Sequence, residues 1–140
     1  MSKKLKASGI MTRNVVVANT NNRFSQVMEF FSKHNVQHLP VTDGEHLVGI
    51  VSLKDMNNYM QKKLASGGAM NMGTLDASFK LSDVMTPKPV SVDVDDTLEK
   101  VVGILGDGKF QALPVVKDGL IHGIITNKDV VRIYKWAMEN

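Results

Sequence analysis

The sequence predicts an α/β (α+β) fold built from two copies of one β-α-β-β-α unit, packed with pseudo-two-fold symmetry. Three observations carry this. The stretch "HLPVTDGEHLVGIVSLKD" at 38–55 returns as "ALPVVKDGLIHGIITNKD" at 112–129. Met85-Thr86 repeats Met11-Thr12 at an offset of 74 (85 − 11), and the same offset carries Leu39-Pro40-Val41 onto Leu113-Pro114-Val115 and Lys54-Asp55 onto Lys128-Asp129 without a gap. Within each copy, the apolar pattern switches between the periods of strand and helix.

Each copy opens on an extended segment, "NVVVA" in the first and "KPVSVDV" in the second, where Pro87 and Pro89 bar a helix. A helix follows. In the second copy Asp96 is the expected N-cap, with Glu99 completing a capping box, and Leu98, Val101, Val102 and Leu105 recur at helical spacing. In the first copy Asn22 is the expected cap and Phe24, Val27, Met28 and Phe31 form the matching stripe, which reads as core packing. "KHN" at 33–35 and "GDG" at 106–108 end these helices.

Two strands come next, "HLPV" with "HLVGIVS" and "ALPVV" with "LIHGIIT". Asp43-Gly44 and Asp118-Gly119 stand between them, the residue types a hairpin turn demands. The second strand of each pair is apolar almost throughout, which predicts a buried central position. "LKDMNNYMQKKLA" and "NKDVVRIYKWAME" close the copies as helices, the latter with Val130, Val131, Ile133, Tyr134 and Ala137 on an apolar face. The expected division is repeat 1 at 8–64, a connector at 65–80 and repeat 2 at 81–137. The connector "ASGGAMNMGTLDASFK" is small and polar and is expected to be partly mobile. A unit of about 50 residues buries too little surface to stand alone, so the halves are expected to pack together.

Composition narrows the function. The 140 residues are 43% hydrophobic and 22% charged, ordinary for a soluble globular protein. With no cysteine, disulfides, thiolate metal sites and cysteine nucleophiles are excluded. "MSKKLKASGIM" lacks a following apolar region, so no signal peptide is expected, and the apolar runs are too short to cross a bilayer. A cytoplasmic protein with no membrane partner is the expectation. The net charge of +3 is spread along the chain, with "KKLK" and "QKK" its only dense spots, which read as solvated surface and not as a nucleic-acid patch. No phosphate-binding P-loop or nucleophile elbow is present, and His34, His38, His46 and His122 read as surface or strand-end residues, so no enzyme activity and no metal site are expected.

Ser52 and Asp55, like Thr126 and Asp129, stand where a strand hands over to a helix. Capping explains either pair alone, because Ser and Thr are good N-caps and an Asp in the first turn meets the positive end of the helix dipole. A ligand-binding reading also fits. A carboxylate accepts two hydrogen bonds at once, which suits the vicinal hydroxyls of a ribose. The hydroxyl and free N–H groups of the helix start suit a phosphate, which Lys54 or Lys128 would neutralise.

The Met-Thr openings, the Leu-Pro-Val strands and the endings Gly-Ile-Val-Ser-x-x-Asp and Gly-Ile-Ile-Thr-x-x-Asp resemble a tandem CBS-domain pair, or Bateman module. The resemblance covers about residues 8–137 and points to a stand-alone CBS-domain protein. It implies a regulatory module that binds an adenosine-containing nucleotide (AMP, ADP, ATP, S-adenosylmethionine, NAD or cyclic di-AMP), requires no other cofactor and forms a homodimer. It also implies clefts that draw on both repeats. One would use Thr12, Val16, Val36, Gln37 and Pro40 with Thr126, Lys128 and Asp129. The other would use Thr86, Val90, Phe110, Gln111 and Pro114 with Ser52, Lys54 and Asp55. Asp129 and Asp55 would anchor ribose, and Thr126 and Ser52 would stand on the phosphate side.

The two clefts depart from one another, since Phe110 replaces Val36 and Thr126-Asn127 replaces Ser52-Leu53. Gln37 and Gln111 stand where smaller residues often occur. The Thr126/Asp129 cleft is the favoured one. Any output would pass to an unknown effector protein. The rival reading is a structural or dimerisation module with empty clefts, and nucleic-acid binding is the weakest alternative.

Overall fold

The computed structural model describes residues 5–67 and 71–140. Lys3 and Lys4 of the basic opening and positions 68–70 of the connector lie outside the described residues. In chain order the elements are α1 (Ala7–Ile10), β1 (Ala18–Asn19), α2 (Phe24–His34), β2 (His38–Asp43), β3 (His46–Ser52), α3 (Leu53–Ala65), α4 (Met72–Ser78), α5 (Leu81–Val84), β4 (Thr86–Pro87), β5 (Val92–Asp93), α6 (Leu98–Gly106), β6 (Ala112–Lys117), β7 (Leu120–Thr126) and α7 (Asn127–Glu139). The β-α-β-β-α unit therefore occurs twice, each time preceded by one short helical turn. No helix among the described residues is long and apolar enough to cross a membrane.

The chain forms two compact units that do not follow the sequence repeats. One holds Val16–Lys88, and the other joins the described residues up to Val15 to Pro89–Asn140. Each unit thus takes its opening segment from the other repeat.

In the Val16–Lys88 unit, β1 pairs parallel with β2, β2 antiparallel with β3, and β3 antiparallel with β4, Ile50 opposite Thr86. Phe24, Val27 and Phe31 of α2, Leu39 and Val41 of β2, Val51 of β3 and Met56 of α3 make one buried cluster. Phe79 sits edge-on to both Phe24 and Tyr59 in the same cluster. In the other unit, β5 pairs parallel with β6 and β6 antiparallel with β7. Ala7 and Ile10 of α1 bury with Val92, Val101, Leu105, Leu113, Val115 and Ile125. The opening is tied down by Ala7 N–H donating to Asp96 O at 2.7 Å and Ser8 N–H to Val94 O at 3.0 Å. Both hairpins slip register at matched places, Val41/Thr42 and Val115/Val116.

Several local expectations are corrected. The caps fall one residue later than expected. Asn22 Oδ1 accepts from Asn19 N–H at 2.6 Å and Asp96 Oδ2 from Asp93 N–H at 2.7 Å, so both residues close the preceding turn. Arg23 then takes the cap position of α2, and Thr97 caps α6 by accepting from Lys100 N–H at 3.3 Å. The first hairpin turns on Gly44-Glu45, with Asp43 the last residue of β2, whereas Asp118-Gly119 form the second turn, both at positive φ. The better-buried strand in the first repeat is β2, not β3. Leu39, Pro40, Val41 and Thr42 are all buried, while β3 alternates, Val51 inward and Ile50 half-exposed. The connector also contains a helix. Asn71 caps α4 by accepting from Thr74 N–H at 2.9 Å, and Leu75 fills a space in the core.

Candidate functional site

Both Ser/Thr-x-x-Asp pairs sit at strand-to-helix junctions, and in both the carboxylate accepts from the N–H of the cap residue. At α3, Ser52 Oγ accepts from Asp55 N–H at 3.0 Å and Asp55 Oδ2 accepts from Ser52 N–H at 2.9 Å. At α7, Asp129 Oδ2 accepts from Thr126 N–H at 2.9 Å and from Thr126 Oγ1 at 3.3 Å. Local capping thus positions each carboxylate.

Beyond the cap the two carboxylates differ. Asp129 is buried at 2% exposure, and its Oδ1 accepts from Thr12 Oγ1 at 3.2 Å and from Arg132 Nη1 at 3.1 Å. Thr12 reaches it because its backbone bridges Ile124, with Thr12 N–H donating to Ile124 O at 2.8 Å and Ile124 N–H returning to Thr12 O at 3.1 Å. Gly123 permits that approach. A Cβ at Gly123 would strike Met11 Sδ and stand 2.8 Å from Thr12 O.

In the Val16–Lys88 unit, Thr86 lies opposite Ile50 in the matching way, and Met85 packs over Gly49. No hydrogen bond joins Thr86 to Asp55 among the described residues. Asp55 is half-buried and opens onto a cleft of about 340 Å³, which Asn58, Tyr59, Lys62, Lys80 and Asp83 also line. The cleft brings two carboxylates, Asp55 and Asp83, together with two ammonium groups, Lys62 and Lys80, a set of acceptors and donors suited to a hydroxylated ligand that carries an anionic group. His38, opposite Ser52 on β2, lies within the field of Asp55. Burial holds its imidazole below the ordinary value, and the Asp55 charge pulls the other way.

The remaining candidates divide between the units. Val16 and Val36 are half-buried against the core of Val16–Lys88, Pro40 is buried, and Gln37 is exposed with its carbonyl accepting from Leu53 N–H at 3.0 Å. In the other unit Pro114 is buried, Phe110 packs on the core, Val90 is 40% exposed, and the Gln111 carbonyl accepts from Asn127 N–H at 3.4 Å. Lys54 and Lys128 are both exposed in the first turns of their helices. Sequence reasoning passed over Arg132 and Asn58. Arg132 stands three residues after Asp129 on one helix face, a spacing that signals an ion pair.

The CBS domain family matches this chain twice, over residues 7–62 and 81–135. The chain belongs to the CBS domain family. Among solved structures, the CBS-pair protein CBSX2 from Arabidopsis thaliana is 28% identical and superposes with a TM-score of 0.79, covering 99% of either chain. CBSX2 solved in complex with AMP is 29% identical, with a TM-score of 0.77 over 95% of this chain and 98% of that one. Inosine-5'-monophosphate dehydrogenase of Korarchaeum cryptofilum is 29% identical over 132 residues, 93% of this CBS chain. The CBS pair spans 25% of that dehydrogenase's length, and 43% of the next curated relative.

Proposed function

We propose that this CBS pair is a regulatory module that binds an adenosine-containing nucleotide and passes the resulting rearrangement to a separate effector protein. It catalyses no reaction of its own. The observation that carries the reading is Asp55, whose Oδ1 accepts no hydrogen bond among the described residues and which lines a cleft of about 340 Å³ together with Lys62, Lys80 and Asp83. The carboxylate suits a ribose diol and the ammonium groups suit phosphate. The relative solved with AMP, 29% identical over nearly the whole chain, supports adenosine as the nucleoside. Thr12, Thr126, Lys128 and Asp129 form the corresponding set in the other unit. This reading assigns the walls for the base to Val16, Val36, Gln37, Pro40, Val90, Phe110, Gln111 and Pro114, none of which lines the Asp55 cleft. The signal strength equals the nucleotide's preference for one arrangement over the other.

The module acts as a homodimer in the cytoplasm. Support for self-association comes from α7, where Val131, Tyr134, Trp136 and Met138 are each at least 60% exposed. That surface also favours the second reading, in which dimerisation is the whole function and the clefts stay empty.

Thermal melts with AMP, ADP, ATP, S-adenosylmethionine, NAD and cyclic di-AMP separate the two. A nucleotide at about a hundredfold over its Kd adds roughly 2.7 kcal/mol, a rise of several degrees. Asp55→Ala should reduce that rise in a protein that still folds. A flat panel would sink the nucleotide reading in favour of the dimerisation one.

A further inference from the structure

The offset of 74 makes the two carboxylates equivalent in sequence, yet their surroundings are not. A carboxylate offers about four acceptor positions. Asp129 has all of them engaged: Thr126 N–H and Thr126 Oγ1 on Oδ2, Thr12 Oγ1 and Arg132 Nη1 on Oδ1. Asp55 Oδ2 accepts only from Ser52 N–H, and Oδ1 accepts no hydrogen bond among the described residues. The counterpart of Arg132 is Asn58 (132 − 74), a neutral amide that lines the Asp55 cleft. A vicinal diol needs two vacant acceptor positions on one carboxylate. Asp55 offers them at once, and Asp129 offers them only after giving up bonds it already has.

We propose that Arg132 is a latch on Asp129, so that the protein takes its first nucleotide at Asp55 and a second at Asp129 only when the guanidinium swings away and the Thr12 hydroxyl rotates off the same oxygen. This rests on the nucleotide reading above and reverses the order expected from sequence. The latch is built to open. The Arg132 side chain is 64% exposed against 3% for Asp129, so water receives the guanidinium when it leaves. Arg132 therefore acts as a positioning residue that sets the order of filling through Asp129, without touching the ligand.

Isothermal titration of AMP into the full chain tests this, each variant first checked by a thermal melt. The wild type should show one tighter and one weaker event. Asp55→Asn should remove the tighter event. Arg132→Met should strengthen the weaker event by up to about fivefold, the release of one ion pair whose cation is exposed, and Arg132→Lys should fall between Met and wild type. Asn58→Arg should transplant the latch and weaken the tighter event. AMP binding that Arg132→Met leaves unchanged or weakens overturns the latch alone, as does a tighter event that survives Asp55→Asn. No binding of AMP, or of any other nucleotide in the melting panel, to any folded variant overturns the latch together with the adenosine reading beneath it.

Discussion

Thr12 Oγ1 donates to Asp129 Oδ1 at 3.2 Å across 117 positions of sequence. The bond ties the opening segment of one sequence repeat to the helix start of the other, inside one compact unit. The backbone bridge between Thr12 and Ile124 that carries it runs directly over Gly123.

That crossing point is sensitive to a single methyl group. Gly123→Ala would press a Cβ against Met11 Sδ and the Thr12 carbonyl, and backbone cannot retreat as a side chain does. The expected cost is about 1–3 kcal/mol, read from urea unfolding. Gly49→Ala meets only the side chain of Met85 and should cost less. Met85→Ala should recover part of that loss, whereas Met11→Ala should not rescue Gly123→Ala, because the Thr12 carbonyl at 2.8 Å stays in place.

The connector helix is held by Asp76. Its Oδ1 accepts from Ser25 N–H at 2.8 Å and its Oδ2 from Ser25 Oγ at 2.7 Å, so α4 supplies a cap to α2 from outside. Asp76→Ala should cost about 1–2 kcal/mol through the lost bonds. Hydrogen exchange should speed up first in α4 and the first turn of α2. Uniform acceleration across the Val16–Lys88 unit would show that α4 has no separate anchor.

Acid should destabilise the fold in two steps. Burial holds the His38 imidazole below its ordinary 6.5 when folded, against the pull of Asp55. The unfolded chain therefore binds more protons just below that value, and stability falls as pH drops through it, levelling off beneath the folded value. Melting temperatures taken from about pH 7.5 down to about pH 5 should show this slope, and His38→Gln should flatten it.

The second step lies lower. Partial burial raises the Asp76 carboxyl, but the two Ser25 bonds and the Arg23 charge outweigh it and leave it below its ordinary 3.8. The Asp93 N–H bond draws Asp96 down, and Lys100 adds to it against partial burial. Both contribute stability that is present above 3.8 and lost as pH falls through their folded values. Asp76→Asn with Asp96→Asn should reduce the loss in this range and leave the His38 step in place.

The α7 surface carries the homodimer prediction. Trp136→Glu with Val131→Lys should lower the dimer fraction in light scattering without lowering the monomer's helical signal. Both side chains are at least 60% exposed, so folding does not depend on burying them. A wild-type chain that is monomeric at high concentration would remove the homodimer from the proposed function.

The sequence by itself determined what depends on neighbours along the chain. Periodicity placed the helices and hairpins, the offset of 74 set the repeat, and the spacing of Ser52 to Asp55 and Thr126 to Asp129 located the caps, because such hydrogen bonds close within one helical turn. It misplaced the α2 and α6 caps by one residue, since Asn22 and Asp96 had a competing local partner in the preceding turn. It missed α4, whose short polar run is held by contacts with Ser25 and the Phe24 cluster and not by its own propensity. Tertiary structure alone decided which acceptors remain free on two carboxylates that look identical in sequence. Thr12 arrives from a distant segment and Arg132 turns back onto Asp129, whereas Asp55, which lines its cleft, keeps an oxygen that accepts no hydrogen bond among the described residues. No local pattern records such a difference, because it depends on where a side chain points once the chain has closed on itself.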